Sequence, residues 1–405
     1  MLDRQRAARL IAVPGIALAS ITGMVGTFLG VFWMISMVVP GTASLLLYPH
    51  PKLMTFGFVY GFIQSVALVL VPRFRNVDVS TGKRLKATTL AAHQIGVLLG
   101  AFWPPNSAGW VLGHLLSSSS SSIFAYYVVK TLRRPLGPLG AADPVISLSA
   151  VLIPVIVLLT AVAESWGHNP YSRAGMLQLV LYDVAGGMIF GIGIKTIHFR
   201  IELAVRRRLW KALFPLLALS ASVAIAAFAL DDRNLDLLSS VVYAATSLLW
   251  ILSVDGFKRV KGGEQFHRMI ERDRVRYLYF SAAYVIACVW LLVGGLAGIS
   301  ASLLTAIRAP LAFGVRDVFI HALGIGFAGH AIIAYAPLLL PGLLSAKTPY
   351  RGLSLYPVAL LNAGNLLRSA WFALGTPPLP GLVLATGALY LSAALTTLIV
   401  VHTLR

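Results

Sequence analysis

Apolar runs of about 20 residues, broken by short polar segments, recur along the whole chain. A helix of that length rises about 30 Å, enough to cross the hydrocarbon core of a bilayer. The pattern predicts twelve spans, at residues 11–39, 53–72, 87–104, 107–130, 144–164, 174–197, 209–230, 236–255, 276–298, 317–341, 351–373 and 379–402. An all-α polytopic membrane protein is expected, with residues 1–405 forming a single integral membrane domain. The longest polar stretches, 73–86 and 256–275, are too short to fold as domains of their own.

Charge then fixes a topology. Hydrophobic residues make up 58% of the chain and charged ones only 12%, which excludes a soluble globular protein. The formal net charge of +19 comes from cations lying between spans rather than in one basic domain, so no nucleic-acid partner is expected. When the loops are assigned alternately to two sides, 27 of the 33 lysines and arginines fall on the side of the N-terminus. The other six are Lys52, Arg173, Arg233, Arg308, Arg316 and Arg368. The positive-inside rule therefore puts both termini in the cytoplasm of a multi-pass cell-membrane protein whose general partner is lipid. The basic start at Arg4, Arg6 and Arg9 precedes an apolar run too long for a cleavable signal peptide. Cys288, the single cysteine, excludes a disulfide framework and paired-cysteine metal sites.

Three spans share a pattern. Gly57-Phe58-Val59 in the second span reaches Pro72 fifteen residues after the glycine, and Gly326-Phe327-Ala328 in the tenth reaches Pro341 at the same distance. In the sixth span Gly186-Gly187-Met188-Ile189-Phe190-Gly191 occupies the corresponding stretch, with His198 in the place of the prolines. These spans are four helices apart and run in the same direction. A threefold repeat of four-helix units follows, an organisation used by transporters and by haem proteins that hold the cofactor on inner helices. The serine run Ser117 to Ser122 in span four is expected to bond back to helix carbonyls or to pack closely on a neighbour.

Ionisable groups inside a membrane are costly, which makes each a functional candidate. His267, His402 and His198 lie at loops or span ends, and His168 lies in a loop. His50 and His321 precede the repeat glycines by seven and five residues, at similar depth on equivalent helices. That placement suits two axial ligands of one haem, the metal-binding pair expected here. The alternative for each is a hydrogen bond to a backbone carbonyl. His114 in span four and His330 near the middle of span ten are further candidates for contact with a cofactor, and His93 lies at a similar depth. Arg368 could clamp haem propionates or reach to the membrane interface. Asp183 is the one acidic residue read as lying well inside a span, and Tyr335-Ala336-Pro337 is expected to kink span ten. Nucleotide-binding, metalloprotease and serine-hydrolase motifs are absent from the sequence, and the tryptophans read as interface anchors.

The stretch His50-Pro51-Lys52-Leu53-Met54-Thr55-Phe56-Gly57-Phe58, running on to Pro72-Arg73-Phe74, resembles the second span of the NnrS family. That family typically has His-x-His-Glu-Met-x-x-Gly-Phe before a proline. His321-Ala322-Leu323-Gly324-Ile325-Gly326-Phe327, ending at Pro341, resembles its later histidine-bearing span, as does Met188-Ile189-Phe190-Gly191. The resemblance covers three spans. It implies a twelve-helix membrane protein that binds haem and also copper and takes part in the response to nitric oxide and denitrification, with a distant likeness to haem-copper oxidases. By position His50 matches the first family histidine and His321 the later one. Lys52 stands where the family has its second histidine, which counts against a second metal site. Span ten has no His-x-His pair and span seven has no histidine, so a complete haem-copper catalytic centre is not expected. Two other classes compete: a secondary transporter with a midplane site at Asp183, Asn362 and Asn365, and a cofactor-free membrane scaffold.

Overall fold

A computed structural model describes residues 2–36, 49–134, 140, 142–169, 174–200, 207–254, 270–344, 355–374, 385–387 and 389–390. Among the described residues every regular element is a helix, and eight helical stretches are long and apolar enough to cross a membrane. The protein is an all-α polytopic membrane protein. Large apolar side chains such as Leu112, Leu115, Leu158, Leu248 and Leu296 point outward, which suits a lipid environment and would be costly in water. Span twelve lies outside the described residues except for two short helical pieces, and so does most of the polar stretch 256–275. The helices form two compact units, Met1–Gly191 and Ile192–Arg405.

The first unit opens with α1 (Leu2–Ser36), longer than its apolar window because the charged first turns continue the helix. After α2 (Pro49–Lys52) and α3 (Gly61–Phe74) come α4 (Lys83–Phe102), α5 (Ala108–Leu132) and α6 (Ala142–Ser165). The Ser107 hydroxyl caps α5 by accepting from the Trp110 amide. Helices α4 and α5 meet backbone to backbone. A Cβ on Gly96 would stand 2.6 Å from the Ser117 nitrogen and 2.7 Å from the Gly113 carbonyl, so only glycine permits this approach. Gly96 and Gly100 on α4, with Gly109 and Gly113 on α5, have the four-residue spacing that lets membrane helices pack this closely.

The helices at the predicted second, sixth and tenth spans are not α-helical throughout. Between α2 and α3 lies a π-helical segment, π1 (Leu53–Tyr60). The sixth span runs as α7 (Ala174–Gln178), π2 (Leu179–Gly186) and α8 (Gly187–Arg200). The tenth runs as α12 (Ala312–His321), π3 (Ala322–Gly329) and α13 (His330–Leu344). Segments of this kind are rare and frequently mark functional sites. Where an α ladder gives way to the wider π ladder, a carbonyl loses its amide partner and needs another donor. The carbonyl of the fifth residue receives a side-chain donor in all three cases. Gln94 Nε2 donates to Gly57 O at 2.8 Å, Ser149 Oγ to Asp183 O at 3.0 Å, and His330 Nδ1 to Gly326 O at 2.8 Å.

In the second unit, α9 (Arg207–Leu230) and α10 (Arg233–Ser253) form a hairpin turned at Asp232, whose carboxylate caps α10. Helix α11 (Glu271–Ala306) extends past the predicted 276–298 at both ends, because hydrogen bonding continues where the apolar window stops. The Trp290 ring of α11 lies where a Cβ on Gly326 would stand, and its indole N–H donates to Asn362 Oδ1 on α14 (Tyr356–Leu374) at 2.8 Å. Asn362 therefore serves helix packing.

Candidate functional site

The histidines divide by which ring nitrogen is tied. His93 is completely buried and uses both: Nε2 lies 3.0 Å from the Phe56 carbonyl and Nδ1 lies 3.2 and 3.3 Å from the Ser117 and Ser121 hydroxyls. The carbonyl can only accept, so Nε2 carries the proton and Nδ1 accepts from a serine. This explains the serine run, two of whose members reach the histidine beside π1. His50, His114, His321 and His330 behave differently. Each directs Nδ1 at a carbonyl, those of Gly26 (2.7 Å), Trp110 (3.0 Å), Asp317 (2.8 Å) and Gly326 (2.8 Å) respectively. In the neutral ring Nδ1 is then the donor and the lone pair is on Nε2.

His330 is the best placed of these to bind a ligand. It begins α13 directly after π3, is fully buried, and also has the Ile325 carbonyl 3.1 Å from Nδ1. Its Nε2 is buried without a hydrogen-bond partner; the Val358 backbone approaches without meeting hydrogen-bond geometry. An imidazole oriented through one nitrogen and offering the other is the usual arrangement of a metal ligand.

His321 lies at the other end of π3 within a polar network. Arg368 Nε and Nη2 each donate to Asp317 at 2.9 Å, and His321 Nδ1 lies 3.3 Å from the same carboxylate. Asn365 Nδ2 donates to the His321 carbonyl at 3.3 Å, and Tyr390 donates to Asn365 at 3.4 Å. The guanidinium also lies 5.1 Å from the centre of the Phe372 ring. Two nitrogens of Arg368, the residue expected to clamp a propionate, are thus occupied by Asp317. Asp317 stands at the boundary of the predicted span, where sequence alone does not distinguish it from a loop acid.

In the first unit, Lys52 and Glu164 form a buried ion pair. Lys52 Nζ lies 2.6 Å from Glu164 Oε2 and donates to the Gly100 carbonyl at 2.7 Å. Trp110 Nε1 donates to the same carboxylate oxygen at 3.0 Å, and His114 Nε2 lies 3.7 Å from it. The His50 ring packs instead against Gly30 of α1, where a Cβ would come within 2.5 Å. Counted from the π segments, the residues in register are Lys52, Gln178 and His321, all buried and each directly preceding its segment. His50 lies two residues earlier than that position. A second buried pair, Arg75 with Asp143 at 2.5 Å, joins the other ends of the same two spans. Lys52 and Arg75 were legible only as loop cations, since their partners lie far away in sequence. Asp183 is fully buried in π2.

The fit to haem rests on His330, His321 and His50, whose Nδ1 atoms are all oriented by backbone carbonyls. Among the described residues no three His, Cys, Asp or Glu side chains gather as a mononuclear metal site would require, whereas haem iron needs only one or two protein ligands. No known protein-family profile matches the chain, and no curated protein matches it.

Proposed function

We propose that this chain is a haem-binding integral membrane protein of the NnrS type, acting in the response to nitric oxide, with His330, His321 and His50 as candidate axial ligands. The observation that carries the reading is the buried, partnerless Nε2 of His330 beside a π segment. Bound haem would supply an iron that coordinates nitric oxide. The chain's own contribution would be to fix the imidazole tautomer through Nδ1 and to exclude water by burial. Copper is a further candidate metal. The proposed architecture is twelve spans in three four-helix repeats with cytoplasmic termini. In support, π1 and π3 each begin four residues before the repeat glycine, and all three π segments begin nineteen residues before Pro72, His198 or Pro341.

The test is a reduced-minus-oxidised visible spectrum of protein purified in mild detergent, with iron and copper analysis. A Soret band with stoichiometric iron, lost in His330→Ala or His321→Ala, is expected. Colourless, metal-free protein that cannot be reconstituted with haem would overturn the reading. The complete burial of Asp183 in π2 favours a second reading, a secondary transporter with a midplane site. That reading expects solute uptake that is abolished in Asp183→Asn.

A further inference from the structure

The cluster around Glu164 presents an electrostatic mismatch that a proton would resolve. His114 commits Nδ1 to the Trp110 carbonyl, so in the neutral ring the lone pair is on Nε2, which lies 3.7 Å from Glu164 Oε2. Two acceptors therefore lie close together with no donor between them. Lys52 and Trp110 also converge on Oε2, while Oε1 is buried and has no hydrogen-bond partner. The carboxyl side chain is 1% exposed and that of Lys52 2%, so neither is screened by solvent. His114, at 9%, is the most open of the three titratable side chains. Glu164 is the penultimate residue of α6, directly before an exposed turn at Trp166 to Asn169.

We propose that Glu164, His114 and Lys52 form a proton-binding site within the first unit, one that takes up and releases a single proton at the end where α2 begins and α6 stops. A proton from water adds to His114 Nε2 and gives an imidazolium. Its Nε2–H then points at Glu164 and transfers the proton to the carboxylate, which restores neutral imidazole and leaves a carboxylic acid. No bond between heavy atoms changes and no electron moves. Among the described residues, the charged and titratable groups recorded against the carboxylate are Lys52 from α2 and His114 from α5, and α4 contributes the Gly100 carbonyl, through Lys52. Protonation removes the anion facing Lys52, which keeps its bond to Gly100. Uptake of a proton therefore loosens the tie between spans two and five at this end, while Arg75 and Asp143 hold the other.

The site stands independently of the haem reading and is tested by infrared difference spectroscopy during a pH titration of the full-length protein in detergent. Wild-type protein is expected to gain the carbonyl stretch of a buried carboxylic acid on acidification, shifted in D2O and lost in Glu164→Gln. His114→Asn is expected to slow the relaxation after a pH jump. Absence of any acid-induced carboxyl band in wild-type protein would overturn the proposal without recourse to a variant. So would a band that survives in Glu164→Gln.

Discussion

Removing the Asp317 carboxylate should be among the most destabilising single changes in the second unit. Asp317→Leu takes away both charge-assisted bonds to Arg368 and the 3.3 Å contact of His321, and it strands a guanidinium that is only 3% exposed. Breaking a buried pair from one side costs about 3 to 5 kcal/mol, chiefly through the uncompensated charge. A unit of about 200 residues loses roughly 2 to 4 °C of melting temperature per kcal/mol, so the expected drop is about 6 to 20 °C. The double variant Asp317→Leu with Arg368→Leu removes the stranded charge and should recover most of that loss, because an apolar replacement of a whole buried pair is often close to neutral. The assay is thermal unfolding in one detergent, followed by intrinsic fluorescence, for both single variants and the double. If the double variant melts no higher than Asp317→Leu alone, the loss does not come from the buried charge and the reasoning fails.

Other expectations follow from the same contacts. Gly96→Leu should separate α4 from α5 and prevent accumulation of folded protein. Gly100→Ala should be far milder, since its nearest neighbour is the His114 ring at 3.1 Å rather than backbone; expression and size-exclusion profiles distinguish the two. Gln94→Leu leaves Gly57 O without its side-chain donor and should cost about 1 to 3 kcal/mol by the same melting assay. His93→Ala, a change at a histidine with both nitrogens in use, should leave any haem spectrum intact, whereas His330→Ala should abolish it.

Hydropathy made the eight long apolar helices legible because it measures what lipid selects, and it erred where charged turns remain helical, as at the start of α11. The glycine pattern at Gly57 and Gly326 pointed to the spans that carry π segments. The segments themselves were not legible, since a change of hydrogen-bond pitch leaves no trace in side-chain polarity. Arg368 stood out as a cation in an apolar helix, but its partner lies 51 residues earlier and Glu164 lies 112 residues from Lys52. Pairing across a membrane bundle depends on which faces meet, and a single chain does not record that. His50 and His321 were matched by their distance from glycine. The π register makes Lys52, rather than His50, the equivalent of His321, because it counts turns of helix rather than motif letters.

The glycine contact between α4 and α5 has a mechanical consequence. Sliding α4 by one residue would push Ile95 or Val97 into the place of Gly96, against backbone that tolerates no Cβ, so the pair has one notch and moves as one strut. That strut carries His93 and Gln94, the donors to π1, together with Ser117 and Ser121 behind His93. The donors to the Phe56 and Gly57 carbonyls must arrive or depart together, so π1 is held in an all-or-none fashion, like a latch with a single bolt.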